Sequence, residues 1–441
     1  MSIALTGGTV LTSLDPPSLV VADVAIEDGA VTSLGRAPHG ANRIDCTGCL
    51  IVPGNVNAHM HLYSALSRGM PYRLDPPNDF VQILQRVWWR LDRALDAGSI
   101  RASALAGGMD AVLTGTTTLV DHHASPDAVD GSLDVIAQAL GDIGLRSVLC
   151  YEVTDRDGPE RAAAGLEENR RFLKAGWPLA RGMVGAHASF TLSDETLGAC
   201  AEVARDAGVG VHIHVAEDAA DQRDAEARFG SRVVPRLART GVLNGSALLA
   251  HCVHVDTEEI DAIGDAGATV AHNPRSNMNN SVGRAPVGAL GDVVALGTDG
   301  IGADMFAESA TSYWRRREES LDAPVTWPLA RLARGAAFAG RAFGQPALGR
   351  IEPGAPADLV VLEYPDVTPL EGPNVAGHWL FGMGSHHVRD VMVAGEMVVA
   401  DRLLTRLDQD EVAAKAREQA ERLWRRIDEL PAHPFGPGGG S

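Results

Sequence analysis

The stretch Leu50-Ile51-Val52-Pro53-Gly54-Asn55-Val56-Asn57-Ala58-His59-Met60-His61 closes an apolar run with two histidines one residue apart. Side chains on an extended strand repeat every two residues, so His59 and His61 point to the same face. Two imidazoles side by side at a strand end can chelate one metal ion. The His-x-His pattern alone is a weak signal, and it gains weight from the polar residues spaced along the rest of the chain.

Short apolar runs recur at about 50–58, 116–122, 145–152, 182–188, 209–216, 246–252, 267–273 and 292–299. Helical stretches such as Asn78–Leu95 and Ser193–Ala207 separate them. Parallel βα units in this number predict an α/β fold, a closed (β/α)8 TIM-like barrel. Such a barrel places its active site at the C-terminal ends of the strands. Here those ends read His59-Met60-His61, Asp121-His122-His123, His187, His214-Val215-Ala216-Glu217, His251, His272-Asn273 and Asp299, so seven of the eight runs deliver His or Asp. A lone histidine at a strand end is commonly a hydrogen-bonded structural residue, and His122, His123, His212, His254 and His272 fit that reading. The joint occurrence is harder to dismiss. Imidazoles plus one carboxylate are the donors of a catalytic zinc or ferrous ion with an open position.

The chain ends read differently. Val20–Ile26 and Ala30–Leu34 flank a Glu27-Asp28-Gly29 turn, and Asp358–Leu362 and Val388–Val399 continue in the same style. These segments predict a small β-sandwich module built from both ends. The expected division is residues 1–52 plus 350–405 for that module, 53–349 for the barrel, 406–430 for an amphipathic terminal helix, and 431–441 for a flexible Pro- and Gly-rich tail.

The formal charge of −19 disfavours nucleic acid or an anionic membrane as a partner. No apolar stretch reaches the roughly 18 residues of a membrane span. The N-terminus lacks the basic region and long apolar core of a signal peptide. Five scattered cysteines suit a reducing cytoplasm, and Cys46-x-x-Cys49 has no second pair to complete a zinc site.

These residues resemble the amidohydrolase superfamily, in its cytosine-deaminase-like, chlorohydrolase-like branch. The resemblance covers nearly the whole chain: Pro53–His61, His214–Glu217, Ala250-His251-Cys252-Val253-His254, His272–Asn277, Leu296-Gly297-Thr298-Asp299-Gly300 and Pro353–Val360. Trp88-Trp89-Arg90-Leu91-Asp92, Asp121–Pro126 and Arg275–Asn280 look closest to the selenium-metabolism-associated (SsnA) aminohydrolase subgroup. The resemblance implies that His59, His61, His214 and Asp299 hold one divalent metal, zinc first and ferrous iron second. It implies Glu217 as proton shuttle and His251 as the residue that orients the attacking water. Asp299 would double as a catalytic base. Binuclear members use a carboxylated lysine on the fourth strand. This chain's two lysines, Lys174 and Lys415, are not placed for it, so a mononuclear site is expected.

The activity implied is an aminohydrolase removing an exocyclic amine from a purine-, pteridine-, pyrimidine- or triazine-like ring through metal-activated water. Hydrolytic ring opening by a cyclic amidohydrolase uses the same chemistry and stays open, as does release of halide. A barrel that had lost catalysis would show a gap in the ligand set, and none is visible. Candidates for substrate contact are Trp88, Trp89, His122, His123, His187, Arg275, Asn277 and Asn279. The tryptophans would stack on a planar ring, or else be helix core. Arg275 would bind a substrate carboxylate or carbonyl, or else a neighbouring acid. The expected partner is a small heterocycle, and the expected assembly a homo-oligomer, in its simplest form a homodimer.

Overall fold

The computed structural model describes residues 2–438. Eight strands run in chain order around the barrel: β1 (Asn55–Met60), β2 (Thr116–His123), β3 (Arg146–Val153), β4 (Val184–Ala188), β5 (Val211–Val215), β6 (Leu248–His251), β7 (Thr269–His272) and β8 (Val294–Leu296). Each neighbouring pair is parallel. The ring closes where Met60 bridges Asp299, and the N–H groups of Thr298 and Asp299 both donate to His59 O, at 2.9 and 3.0 Å. Val184, Val211, Ile213, Val215, Val270 and Val294 are fully buried. Strands covered on both faces need such apolar, β-branched residues. Helices between strands start and stop on local signals. Ser193 caps Asp194–Ala207 by accepting from Thr196 N, and Gly208 ends that helix in the left-handed region at φ +68°.

Two further sheets lie outside the barrel ring. One orders Ala30–Gly35, Asp23–Glu27, Ile3–Thr6 and Asn42–Asp45. The other has seven strands, and in it Leu359–Leu362 pairs antiparallel with Leu50–Pro53, so both chain ends share a sheet. Leu5, Val24 and Ile26 of the first sheet meet Val10, Ile51, Leu359 and Met392 of the second in one apolar cluster. Among the described residues, no helix is long and apolar enough to cross a membrane.

The structure departs from the sequence reading in four places. The run 50–58 is two strands in two sheets, broken at Gly54. A Cβ there would lie 2.3 Å from the Thr117 side chain, so the crossing needs glycine. Val20–Ile26 is likewise split, between Pro17–Val21 and Asp23–Glu27. Asn78–Leu95 is not one helix: an α-turn at Phe80–Ile83 leads into a π-helical turn at Leu84–Trp88 and a short helix at Trp89–Leu91. The segment expected to be a flexible tail is packed over 431–438, because His433 and Phe435 find partners in a barrel loop. Residues 439–441 lie outside the described residues.

Barrel and outer sheet are tied by one buried ion pair. Arg146, at the start of β3, meets Asp358 in bidentate fashion, Nε to Oδ2 at 2.7 Å and a terminal nitrogen to Oδ1 at 3.2 Å. Asp358 also accepts from Ala394 N at 2.7 Å. Removing one partner of a buried pair strands the other charge. Asp358→Ala is therefore expected to lower the unfolding free energy by roughly 3–5 kcal/mol, read as a shift of the urea midpoint. A change within experimental error would show that the pair does not couple the two parts.

Candidate active site

The C-terminal ends of β1, β5 and β8 bring His59, His61, His214 and Asp299 together. Asn57 sets the spacing of the closing strands. Its Oδ1 accepts from Thr298 N at 3.1 Å, and its Nδ2 donates to Thr298 Oγ1 at 2.7 Å. The ring nitrogens are then assigned by their outer partners. His61 Nδ1 lies 2.6 Å from His122 O, and His214 Nδ1 lies 2.8 Å from His187 O. A carbonyl oxygen only accepts, so each Nδ1 carries the proton and each Nε2 keeps its lone pair. Those two Nε2 atoms face each other at 3.2 Å. Asp299 Oδ1 lies 3.0 Å from His61 Nε2 and 3.5 Å from His59 Nε2. His59 Nε2 is buried with no hydrogen-bond partner.

Lone pairs and a carboxylate converging at these distances repel unless positive charge lies among them. Burial opposes charge on His61, whereas the Asp299 carboxylate beside it favours positive charge there. A proton on one ring relieves one contact, whereas a divalent ion satisfies the whole set. His59, His214, His251 and Asp299 offer ligand atoms within 4.8 Å of one another, and the outer carbonyl bonds are the orienting partners that metal-bound imidazoles use.

Glu217 follows β5 by two residues, beyond Ala216 at φ +45°. Its Oε2 lies 3.5 Å from His251 Nε2, and its Oε1 accepts from Asn280 Nδ2 at 3.4 Å. Burial raises the Glu217 carboxyl well above its ordinary value, and the Asp299 charge adds to the rise. Burial thus favours the acid form of Glu217, while hydrogen bonds from His59 and His61 favour the ionised form of Asp299, a division of labour that acid–base catalysis uses. His251 sits at φ +73° and Asp299 at φ +54°, both non-glycine residues in the left-handed region. Strain of about 1–3 kcal/mol per residue is typical of functional sites.

His61, His214, Glu217 and Asp299 floor a cavity of about 570 Å³. Of the residues singled out in the sequence, His61, His214, Glu217, Asp299, Trp88, Trp89, His187, Arg275 and Asn279 line it. His59 is fully buried behind them. His122, His123, His251 and Asn277 do not line the cavity. His122 supplies the carbonyl that orients His61, while its ring lies 3.4 Å from Glu152. His123 bonds Ser125 Oγ at 2.9 Å. Asn277 Oδ1 accepts from His251 Nδ1 at 2.8 Å, so it fixes the His251 ring and leaves Nε2 free, buried and unpartnered. Arg275 takes the neighbouring-acid reading: it pairs with the buried Glu308 and donates to Gly302 O at 2.8 Å.

Several site residues escaped the sequence reading. The third strand, which offers neither His nor Asp, contributes Glu152 at the same rim. Buried Arg156 bonds Glu152 at 3.1 Å, Asp157 at 3.2 Å, and Asp92. Burial disfavours the Arg156 charge, but these carboxylates hold its pKa above the usual value. Ser276 Oγ donates to Asp299 Oδ2. The strand-end rule would have found Glu152 had glutamate been counted; Arg156 carries no local signal, and Asp92 stands in the Trp88–Asp92 segment with no role legible there.

Fold and site define a metal-dependent barrel hydrolase. The amidohydrolase family profile matches residues 50–398, and the chain belongs to that family. It is 33% identical, over 90% of its length and 91% of the relative's, to a 5-methylthioadenosine/S-adenosylhomocysteine deaminase of Nitratidesulfovibrio vulgaris (strain DSM 19637 / Miyazaki F). It is 30% identical, over 96% of its length and 99% of the relative's, to a 5'-deoxyadenosine deaminase of Methanopyrus kandleri. Among solved structures it is similar to a zinc-bound adenosine deaminase from Xanthomonas campestris, with a TM-score of 0.82, 25% identity, and 97% and 99% of the two chains covered.

One divalent ion per chain is expected by elemental analysis of the purified protein. Asp299→Ala and His214→Ala are expected to lose it. Two stoichiometric ions would overturn the mononuclear assignment and point to Glu152 and His187, which approach His214 closely enough to share a second ion.

Proposed function

We propose that the chain is an aminohydrolase that replaces the exocyclic amine of a planar nitrogen heterocycle by oxygen from water. A 6-aminopurine carried on a 5'-modified nucleoside is the substrate class we favour, because the Nitratidesulfovibrio and Methanopyrus relatives are named for such compounds. The observation that carries the reading is the convergence of an imidazole–carboxylate cluster with Glu217, 3.5 Å from His251 Nε2, at one cavity. Zinc is the proposed ion, with ferrous iron as the alternative. A divalent ion held by His59, His61, His214 and Asp299 supplies water activation near neutral pH.

The chain's own groups do the rest. His251 Nε2, with Nδ1 tied to Asn277, accepts a hydrogen bond at the attacked centre and orients the incoming water. Asp299 takes up a proton, with Ser276 fixing its second oxygen. Glu217 protonates a ring nitrogen, which makes the adjacent sp² carbon electrophilic, then takes up the hydroxyl proton at the attacked centre and passes it to the departing amine; the proton held by Asp299 returns to Glu217 and restores the acid. Trp88 and Trp89 form an aromatic wall suited to a planar ring and exclude water from it. Five free, buried cysteines support a cytoplasmic location, and a homo-oligomer is the proposed assembly, tested by light scattering.

Incubation with 5'-deoxyadenosine or 5-methylthioadenosine is expected to release ammonia stoichiometrically. The product should be one oxygen heavier and one NH lighter, with the ring intact. A product heavier by a whole water, with no ammonia, would establish ring opening instead. Glu217→Gln is expected to retain the metal and lose roughly 10²-fold or more in rate. Normal turnover by that variant would remove Glu217 from the mechanism.

A further inference from the structure

Residues 431–438 run from the terminal helix Gln409–Glu429 along the back of one cavity wall. That wall is the irregular segment of Phe80, Leu84, Trp88 and Trp89. His433 N donates to Gln85 O at 2.8 Å, and Gln85 Nε2 returns a bond to Phe435 O at 2.7 Å. Arg90 fastens the preceding turn through Leu430 O at 2.8 Å and Ile427 O at 2.5 Å. Gly438 N donates to Asp224 Oδ1 at 2.8 Å. The segment is therefore bonded to the barrel at both ends and in its middle.

Two routes lead from this strap into the cavity. The first is aromatic. The Trp89 ring is 1% exposed, with the His433 and Phe435 rings at 5.4 and 5.9 Å and the cavity-lining His187 ring at 5.9 Å. The second is ionic. His433 Nδ1 accepts from Phe435 N at 3.1 Å, so Nε2 carries the proton and donates to Asp157 Oδ1 at 3.2 Å. Asp157 Oδ2 holds Arg156 Nε, and Arg156 holds Glu152. Glu152 stands 4.0 Å from His187 Nε2. Trp89, Glu152, Arg156 and His187 all line the cavity. Among the described residues, no hydrogen bond joins the strap to His59, His61, His214, Glu217 or Asp299.

We propose that His433 and Phe435 are positioning residues for substrate. They touch neither substrate nor metal ligands. Through Trp89 and the Asp157–Arg156–Glu152 chain they set the wall against which the heterocycle is held. Misplacement of a binding wall weakens substrate binding while leaving the reacting groups in place. The π-turn at Leu84–Trp88 lacks regular α-helical hydrogen bonding, and the strap supplies the outer bonds that stabilise it.

The kinetic arm rests on the aminohydrolase reading. His433→Ala, Phe435→Ala and a chain ending at Leu430 are compared with the unaltered protein. Each is expected to keep its metal and to show a KM raised roughly 10-fold, with kcat changed by no more than about twofold. His433→Gln, which retains a donor toward Asp157, is expected to recover most of the loss. An unchanged KM in all three variants, or a fall in kcat at constant KM, would overturn the proposal. A second arm needs no substrate: amide exchange across residues 80–92 is expected to speed up in the shortened chain, with exchange in β5 and β6 unaltered. Equal exchange in both proteins would overturn the clamp even if the kinetics were silent. Absence of any deamination by the unaltered protein would instead overturn the aminohydrolase reading, and the exchange arm would still decide the clamp.

Discussion

Everything in the site depends on the repulsion between imidazole lone pairs that the backbone forces to face one another. The carbonyls of His122 and His187 accept from His61 Nδ1 and His214 Nδ1, which leaves two Nε2 atoms 3.2 Å apart beside Asp299. Neither ring can turn away without abandoning a buried hydrogen bond, an expensive exchange in a low-dielectric interior. The cluster therefore demands positive charge. The outer carbonyl bonds hold its rings in place, as the partners of metal-bound imidazoles do.

The scaffold bears a cost to hold that arrangement. Ala216, His251, Cys252 and Asp299 all adopt positive φ at the C-terminal rim of the barrel. Such conformations persist only where the surroundings over-determine them. Here they do: Cys252 N donates to Val215 O, His254 N to Ala216 O, and Asp299 N to His59 O, which lock the strained corners to neighbouring strands. The result aims Glu217, His251 and Asp299 at one point from three different strand ends.

A second buried charge system flanks the first. Arg156 is enclosed by Asp92, Glu152 and Asp157, and Arg275 is neutralised by Glu308. The buried Arg156 guanidinium, saturated in this way, shapes a wall and fixes its neighbours rather than seizing an anion. Arg275 lines the cavity, and its pairing with Glu308 also ties the segment after β7 to the helix Met305–Arg317. The same logic places His122, His123 and Asn277 behind the cavity, as supports for residues that reach it.

Much of this was legible in the chain itself. Short apolar runs ending in His or Asp, separated by helical stretches, specify parallel βα units and the rim where chemistry collects, because run length and residue type are local properties. The candidate metal donors, Glu217 and His251 emerge from that pattern together with the family resemblance. What needed the tertiary structure depends on contacts between residues distant in sequence. The break at Gly54 results from a steric approach by Thr117. The partnering of Arg156 with Asp92, and of His433 with Asp157, joins segments 64 and 276 residues apart. The 431–438 segment reads as a free tail because its composition is rich in Pro and Gly, and composition reports only what a segment can do alone. Whether it is free is decided by whether a folded surface offers partners for its polar and aromatic groups, and only the assembled barrel presents that surface.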